Sequence, residues 1–160
     1  MATSTTKKAV IRRFQRESLA GYVNPLSYLQ PAGVELLSAE GQIISVPYAE
    51  IKSVSFVRDF DAPPEAERPV FLNRPKMEGL WIRFTFQDGE IMEGVMPNNL
   101  LPVEPYGFNV VPPHPYSAQQ RVFLPRAALR AVEVLGVVGS PLKRRKGKPV
   151  PEAQIGLFGE

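Results

Sequence analysis

Residues 82–95 read IRFTFQDGEIMEGV and contain the strongest structural signal in the chain. Apolar and polar residues alternate on both sides of Asp88 and Gly89, which is typical of two strands joined by a tight hairpin turn. Gly89 supplies the backbone freedom that such a turn requires. Gly94 allows the second strand to bend sharply, as a small barrel requires. This stretch therefore predicts a bent β-hairpin.

The same kind of pattern occurs twice along the chain. Residues 9–57 contain five short runs rich in β-branched and aromatic residues, and a second series follows later. The two series align in four blocks that keep the same order. The first block aligns Val10 with Ile82, an offset of 72 residues, and the last aligns Pro47 with Pro125, an offset of 78 residues. We therefore predict a tandem repeat of one small β unit.

Composition divides the chain further. Proline accounts for 17 of the 160 residues, which leaves little room for long helices. Residues 69–72, PVFL, are apolar enough to pack the two units together. The predicted fold is all-β, with a disordered lead-in at residues 1–7, a first barrel at residues 8–57, a proline-rich linker at residues 58–79, a second barrel at residues 80–135 and a disordered basic tail at residues 136–160.

The second copy resembles the first motif of the Sm and Sm-like family, which includes bacterial Hfq. The resemblance rests on the hairpin around Asp88 and Gly89, on Gly94, and on residues 122–132, which are similar to the short hairpin that closes such barrels. It implies two tandem Sm-like barrels of SH3 size. The chain also resembles an uncharacterised family of two-copy bacterial proteins.

The Sm resemblance also implies partners. Members of that family pair edge strands between neighbours, so three chains of this kind would form a homo-oligomeric ring of six barrels. RNA or DNA is the implied ligand. The stretches that correspond to the RNA-contacting loops depart from the family pattern, because residues 24–27 and 97–100 have no aspartate. In the second pair of loops, at residues 47–50 and 125–128, only Arg126 is basic, and we expect it to contact nucleic acid.

The net charge of +3 lies on the tail. Residues 136–160 carry five bases and two acids, whereas the other 135 residues carry 14 of each. Residues 1–135 therefore have no net charge, whereas dedicated DNA-binding proteins have a basic face. We expect the tail bases to contact phosphates without sequence preference; they are Lys143, Arg144, Arg145, Lys146 and Lys148.

The last apolar residues of the tail form a short motif. Residues 154–158 read QIGLF and resemble the bacterial sliding-clamp-binding pentapeptide. The resemblance implies a hydrogen bond from Gln154 and burial of Leu157 and Phe158 in an apolar pocket of the clamp, with Ile155 as the aliphatic residue of the motif. The alternative is that this segment packs back on its own barrel.

The residue inventory argues against an enzyme. The chain has no cysteine and a single histidine, His114, which excludes thiolate metal sites, cysteine nucleophiles and histidine-based triads. We therefore predict no catalytic residues, no metal site and no cofactor. No apolar run approaches the ~20 residues needed to cross a bilayer, and no signal peptide is visible. A cytoplasmic protein with no membrane partner is expected.

Weaker candidates have simpler interpretations. Arg12 and Arg16 resemble the arginine pair of cyclic-di-GMP-binding PilZ barrels, but the accompanying motif has the wrong spacing. The other candidates are the carboxylates Asp59 and Asp61, the turn residues Asn98 and Asn99, and the aromatic residues Trp81, Phe84 and Phe86, which we expect to fill a core rather than stack on bases.

These observations predict a non-catalytic binding or assembly module. Nucleic acid is the first expected partner, because of the Sm resemblance and the basic tail. The alternatives are a protein–protein scaffold that contacts no nucleic acid and a small-ligand sensor barrel.

Overall fold

A computed structural model describes residues 6–60, 70–113 and 119–139. Two single turns of 3₁₀ helix, Tyr48–Glu50 and Arg126–Ala128, lie between strands, and no α-helix occurs within these three ranges. The predicted all-β fold is therefore confirmed. The strands are β1 (Lys7–Arg13), β2 (Arg16–Val23), β3 (Leu29–Gln30), β4 (Gly33–Leu37), β5 (Ile43–Val46), β6 (Ile51–Val57), β7 (Gly79–Phe86), β8 (Ile91–Met96), β9 (Gly107–Val110), β10 (Gln119–Pro125) and β11 (Leu129–Val138).

The strands form two antiparallel sheets. The larger sheet has the order β3-β4-β2-β1-β6-β10-β9, and β5 pairs with β4 beside this path. The smaller sheet has the order β11-β7-β8. A bridge between Val95 and Val111 connects the two sheets, with N–H···O distances of 3.0 and 2.9 Å.

The strand pairings of the first half recur in the second half. We call β1, β2, β4, β5 and β6 the first unit, and β7, β8, β9, β10 and β11 the second unit. Each pair of neighbouring strands in the first unit has an equivalent pair, in the same chain order, in the second unit. The corresponding pairs are Ala9–Gly21 and Ile82–Gly94, Ile11–Val54 and Phe84–Val132, Tyr22–Leu37 and Val95–Val111, and Val34–Val46 and Phe108–Leu124.

These pairings correct the first sequence block by one residue. The sequence alignment makes Val10 the equivalent of Ile82 in the repeat. The structure instead makes Ala9 the equivalent of Ile82 and Ile11 the equivalent of Phe84. Ala9, Ile11, Ile82 and Phe84 are all buried. A slip of one residue would turn the buried side chains of a strand to its other face. Burial therefore fixes the alignment.

β10 contributes to both hydrophobic cores. Val122 and Leu124 lie in the core of the second unit, whereas Phe123 lies in the core of the first unit. Successive side chains of a strand point to opposite faces, so one face of β10 completes the second unit and the other covers the first. The two units are therefore joined by a shared strand. Of the patch at residues 69–72, Phe71 contacts Trp81 and Glu93 of the second unit, and Pro69 lies outside the described residues.

Residues 70–78 of the linker lie against the second unit, whereas Phe60 packs on Tyr22 of the first unit. The main-chain N–H of Phe71 and the Nε1 of Trp81 both donate to Glu93 Oε1, each at 3.1 Å. Glu93 is buried, and Arg83 pairs with its other oxygen at 3.4 Å. Arg74 donates to the carbonyl oxygen of Val137 at 2.7 Å. A buried carboxylate and a guanidinium thus fix this segment to the sheet.

Because the units share β10, we expect them to unfold together. Leu36→Ala removes a fully buried side chain from the first core and is expected to lower the free energy of unfolding by about 2–5 kcal/mol. Trp81 is the only tryptophan and lies in the second unit, so its fluorescence reports on that unit. In denaturant, its transition should shift together with the circular dichroism signal.

Leu101→Ala is the matched control, because Leu101 is almost fully exposed and the change should alter stability by no more than about 0.5 kcal/mol. A Trp81 transition that Leu36→Ala leaves in place would mean that the units unfold independently.

Candidate assembly junction and binding face

An antiparallel strand pair joins the two units. β6 of the first unit pairs with β10 of the second, with Val54 opposite Phe123 and Ser55 opposite Val122. All four residues are buried. The main chain therefore continues one sheet from the first unit into the second through a closed, water-excluded contact.

Aromatic side chains fill the rest of this junction. The ring of Tyr28 meets Phe56 edge-on at 5.4 Å and Phe123 edge-on at 6.0 Å. Tyr48 stacks on Tyr106 of the second unit, with ring centres 4.9 Å apart. Such ring pairs contribute about 0.5–1.5 kcal/mol beyond the burial of their area. They also fix the relative position of the two units.

Lys52 connects the first unit to the hairpin turn of the second. Its Nζ lies 2.9 Å from Asp88 Oδ2, also pairs with Glu90, and lies 5.0 Å from the centre of the Phe86 ring. Burial lowers the pKa of Lys52, but the hydrogen bonds to Asp88 and Glu90 outweigh burial and raise that pKa. The same hydrogen bond holds the pKa of Asp88 below its usual value. The junction thus contains a charged contact as well as apolar ones.

The strands equivalent to β6 and β10 have uncovered outer edges. By the recurring pairings, β11 corresponds to β6, and β5 corresponds to β10. Within the described ranges, β11 pairs with β7 alone and β5 pairs with β4 alone. Among the described strands, β11 and β5 therefore each present an edge that no other strand pairs.

Apolar side chains are exposed on both of these edges. Val54 is 0% exposed under β10, whereas its equivalent Val132 on β11 is 42% exposed. Val134 on β11 is 60% exposed, and Ile43 on β5 is 69% exposed. A long edge strand with exposed β-branched residues is a template for pairing with another strand. Both edges are therefore candidate interaction surfaces.

The turns and loops of the two units meet on one face, which we call the turn face. The hydroxyl of Tyr48 donates to the carbonyl oxygen of Gln30 at 2.6 Å. The N–H of Arg126 donates to the carbonyl oxygen of Tyr106 at 2.8 Å. The exposed guanidinium of Arg126 lies 5.1 Å from the centre of the Phe108 ring. The turn face therefore offers aromatic rings and a cation together.

A pocket of about 160 Å³ opens beside Phe108. It is smaller than the ~300–1,000 Å³ typical of sites for drug-sized ligands. Its walls combine an aromatic ring, two carboxamides and one carboxylate, so it offers stacking and hydrogen bonding. The lining residues are Met96, Pro97, Asn99, Pro102, Val103, Glu104, Phe108 and Asn109.

Arg126 is the only residue of the predicted nucleic-acid and clamp sites that lies within the described ranges. The tail bases Lys143, Arg144, Arg145, Lys146 and Lys148 lie outside the described residues. So do Gln154, Ile155, Leu157 and Phe158 of the clamp-like motif. Both sites stay predictions.

The weaker candidates have structural roles where they are described. Arg16 pairs with Glu50 at 3.3 Å, and Asn99 Oδ1 accepts a hydrogen bond from the N–H of Leu101 at 3.1 Å, which forms a turn. Phe84 and Phe86 are buried as expected, whereas Trp81 lies on the opposite face against Glu93. Asp61 and His114 lie outside the described residues.

Two other features are also missing from residues 6–60, 70–113 and 119–139. No group of three or more metal-ligating side chains is assembled in them. None of their helices is long and apolar enough to span a bilayer.

The sequence analysis missed the polar and aromatic residues of the junction. Lys52 was visible only as the repeat partner of Arg130, and Tyr28, Tyr48 and Tyr106 carried no motif. No sequence signal distinguishes these side chains from ordinary turn and strand residues, because their partners lie in the other unit.

The family comparison covers most of the chain. Residues 5–136 match the sequence model of a family of unknown function, DUF6982. No curated protein and no solved structure matches the chain.

Tyr48 makes the stability of the junction sensitive to alkaline pH. Burial, followed by the nearby Tyr106 and Glu104, raises the pKa of Tyr48 to about 12. Since the ordinary value is about 10, the contribution of Tyr48 is complete below about pH 10 and is lost as the pH rises through about 12. Tyr48→Phe keeps the stacked ring but removes the hydrogen bond to Gln30. We expect it to lower the free energy of unfolding by about 1 kcal/mol near neutral pH.

The same substitution should reduce the loss of stability between about pH 10 and 12, measured by urea unfolding at several pH values. Tyr22→Phe serves as the control tyrosine, because Tyr22 lies outside the junction and packs on Phe60. Equal pH dependence in the wild type and Tyr48→Phe would contradict this role.

Proposed function

The chain belongs to the DUF6982 family of unknown function, and we propose that it is a non-catalytic assembly module whose copies join edge to edge. The junction between β6 and β10 carries this proposal. It joins two equivalent units within one chain and leaves the equivalent edges, β5 and β11, uncovered. A second copy that pairs its β5 with β11 of the first copy repeats the junction. We call this contact between copies the second junction.

The register of the internal junction defines which residues would meet. Replacing each junction residue by its equivalent gives the pairs of the second junction: Val132 with Ser45, Glu133 with Ile44, and Val134 with Ile43. In this register, Val134 and Ile43, both largely exposed in the single chain, cover each other. Apolar side chains on opposed strands stabilise a pair by about 0.2–1 kcal/mol beyond alanine.

The second junction is expected to be weaker than the internal one. Ser45 occupies the position of Phe123, so no aromatic ring enters the neighbouring core. Glu133 occupies the position of Ser55, and burying part of a carboxylate costs free energy. We therefore expect assembly to depend on protein concentration, unlike the permanent internal junction.

The resemblance to Sm-like barrels points to the geometry of the assembly. Members of that family pair edge strands around a closed ring. Two units per chain make three chains and six units the natural closed form. A closed ring also leaves no open edge, which removes the aggregation hazard of a long apolar edge strand.

Opposite charges placed across the second junction test this proposal. Ile43→Lys and Val134→Glu should each shift the sedimentation or light-scattering mass of the full chain to that of a single chain, because each sets a charge against an apolar edge. The double variant should recover part of the association, since the two charges would then face each other across the strands.

Leu101→Lys is the matched control, because it changes an exposed apolar residue outside the strands to a charge, and it should leave assembly intact. A wild-type mass of one chain at every concentration would overturn the proposal. So would an equal loss of assembly in Leu101→Lys.

The turn face supports nucleic acid as a second candidate function. Arg126 is exposed beside the ring of Phe108, and the adjacent pocket presents the carboxamides of Asn99 and Asn109. Aromatic rings stack on the bases of single strands, and arginine contacts phosphates. The tail bases, residues 143–148, would add contacts to phosphate that do not depend on sequence.

Substitution of Arg126 tests this second function. Arg126→Ala should weaken binding of a fluorescent oligouridine to the full chain several-fold. It should also reduce the slope of log affinity against log salt by about 0.7, the value expected for one lost phosphate contact.

Lys76→Ala removes an exposed charge elsewhere and should change binding less. Equal losses in the two variants would indicate general charge attraction. No binding at low salt would exclude nucleic acid and leave the scaffold.

A further inference from the structure

The apolar edge of β11 lies next to the point where the chain leaves the described residues. Val132, Val134 and Val137 are 42%, 60% and 48% exposed on this strand. β11 ends at Val138, and the next residue is Gly139. Any segment that follows therefore starts beside an apolar edge that no described strand pairs, and at this end Arg74 bonds the carbonyl oxygen of Val137.

Gly139 turns the chain at this point. Its φ angle is +64°, in the left-handed region that favours glycine. A Cβ atom on Gly139 would lie only 2.5 Å from the Cα of Glu78. The extended run of β11 thus ends at a position that only glycine accommodates.

Residues 154–158, QIGLF, are an apolar segment within reach of this edge. Fourteen residues, 140–153, separate Gly139 from Gln154. At about 3.3 Å per extended residue they span up to about 45 Å. The ten-residue strand β11 is about 33 Å long at the same rise per residue. The segment can therefore reach any position along the strand.

We propose that residues 154–158 lie against the free edge of β11 of their own chain and compete there with a second copy. Addition of a short extended segment to an open edge is a common binding mode, in which the main chain supplies hydrogen bonds and alternate side chains supply apolar contacts. Ile155, Leu157 and Phe158 are the side chains available to cover the exposed valines. The competition, but not the docking itself, rests on the proposed assembly function.

Tethering favours the segment over a second copy. A flexible tether of this length holds the segment near the edge at an effective concentration of order millimolar, whereas a second copy is present at its bulk concentration. Even a segment that binds ~100-fold more weakly than a second copy therefore competes at micromolar protein. A partner that captures residues 154–158 would free the edge and promote assembly.

Hydrogen exchange at a concentration where the full chain has the mass of one chain tests the docking. The amides of residues 131–137 should exchange about tenfold faster in a chain shortened after Gly139 and in the full-length double variant Leu157→Asp, Phe158→Asp. The shortened chain keeps every described strand. Leu142→Asp, which changes an apolar residue of the tether in the same way, should leave exchange unchanged. Equal exchange in the full and shortened chains would overturn the docking.

The association of the shortened chain separates this inference from the proposed function. We expect its assembly to begin at about tenfold lower protein concentration than that of the full chain. Faster exchange in a shortened chain that never associates would support docking and refute assembly. Unchanged exchange in a shortened chain that does associate would refute docking and support assembly. Association at the same concentration in both chains would refute the competition.

Discussion

A β-strand has two faces, and β10 uses one for each unit of this protein. Val122 and Leu124 complete the second core, while Phe123 between them fills the first. Each unit has only five main strands, so its core is small and gains from a wall that it shares. Covering Val54 and Ser55 with β10 gives the first unit the side wall that its own strands do not supply. The contacts of Tyr28, Tyr48 and Lys52 across the junction all require this arrangement.

The internal junction and its open counterpart differ in chemistry although they share a register. The internal one has Phe123, a stacked tyrosine pair and an ion-paired lysine. Its counterpart offers valines and an isoleucine but also Ser45 and Glu133. This difference separates the permanent contact within the chain from the conditional contact that we propose between chains. It also makes the edge of β11 accessible to any short apolar segment held nearby, including one from the same chain.

The polar groups of the described residues have mostly structural roles. Glu93 fixes the linker to the outer face of the second unit, and Glu50 pairs with Arg16 near the first hairpin. Arg126 differs, because its guanidinium is exposed and rests on an aromatic ring rather than on a carboxylate. The turn face therefore presents an exposed cation that packs on an aromatic ring.

The sequence alone determined the local structure. Alternation of apolar residues predicted the strands, Asp88 and Gly89 predicted the hairpin turn, and the spacing of Pro47 and Pro125 predicted the repeat. These features depend on neighbours along the chain, whose side-chain direction and backbone freedom follow from residue type.

Tertiary structure alone decided which strands meet. Three features depend on contacts between distant segments. They are the pairing of β6 with β10, the alignment of Ala9 with Ile82 in the repeat, and the placement of Trp81 on the outer face. Every strand edge carries the same main-chain donors and acceptors, so a sequence pattern cannot specify the partner. The packing of Phe123 into the core of the other unit selects it.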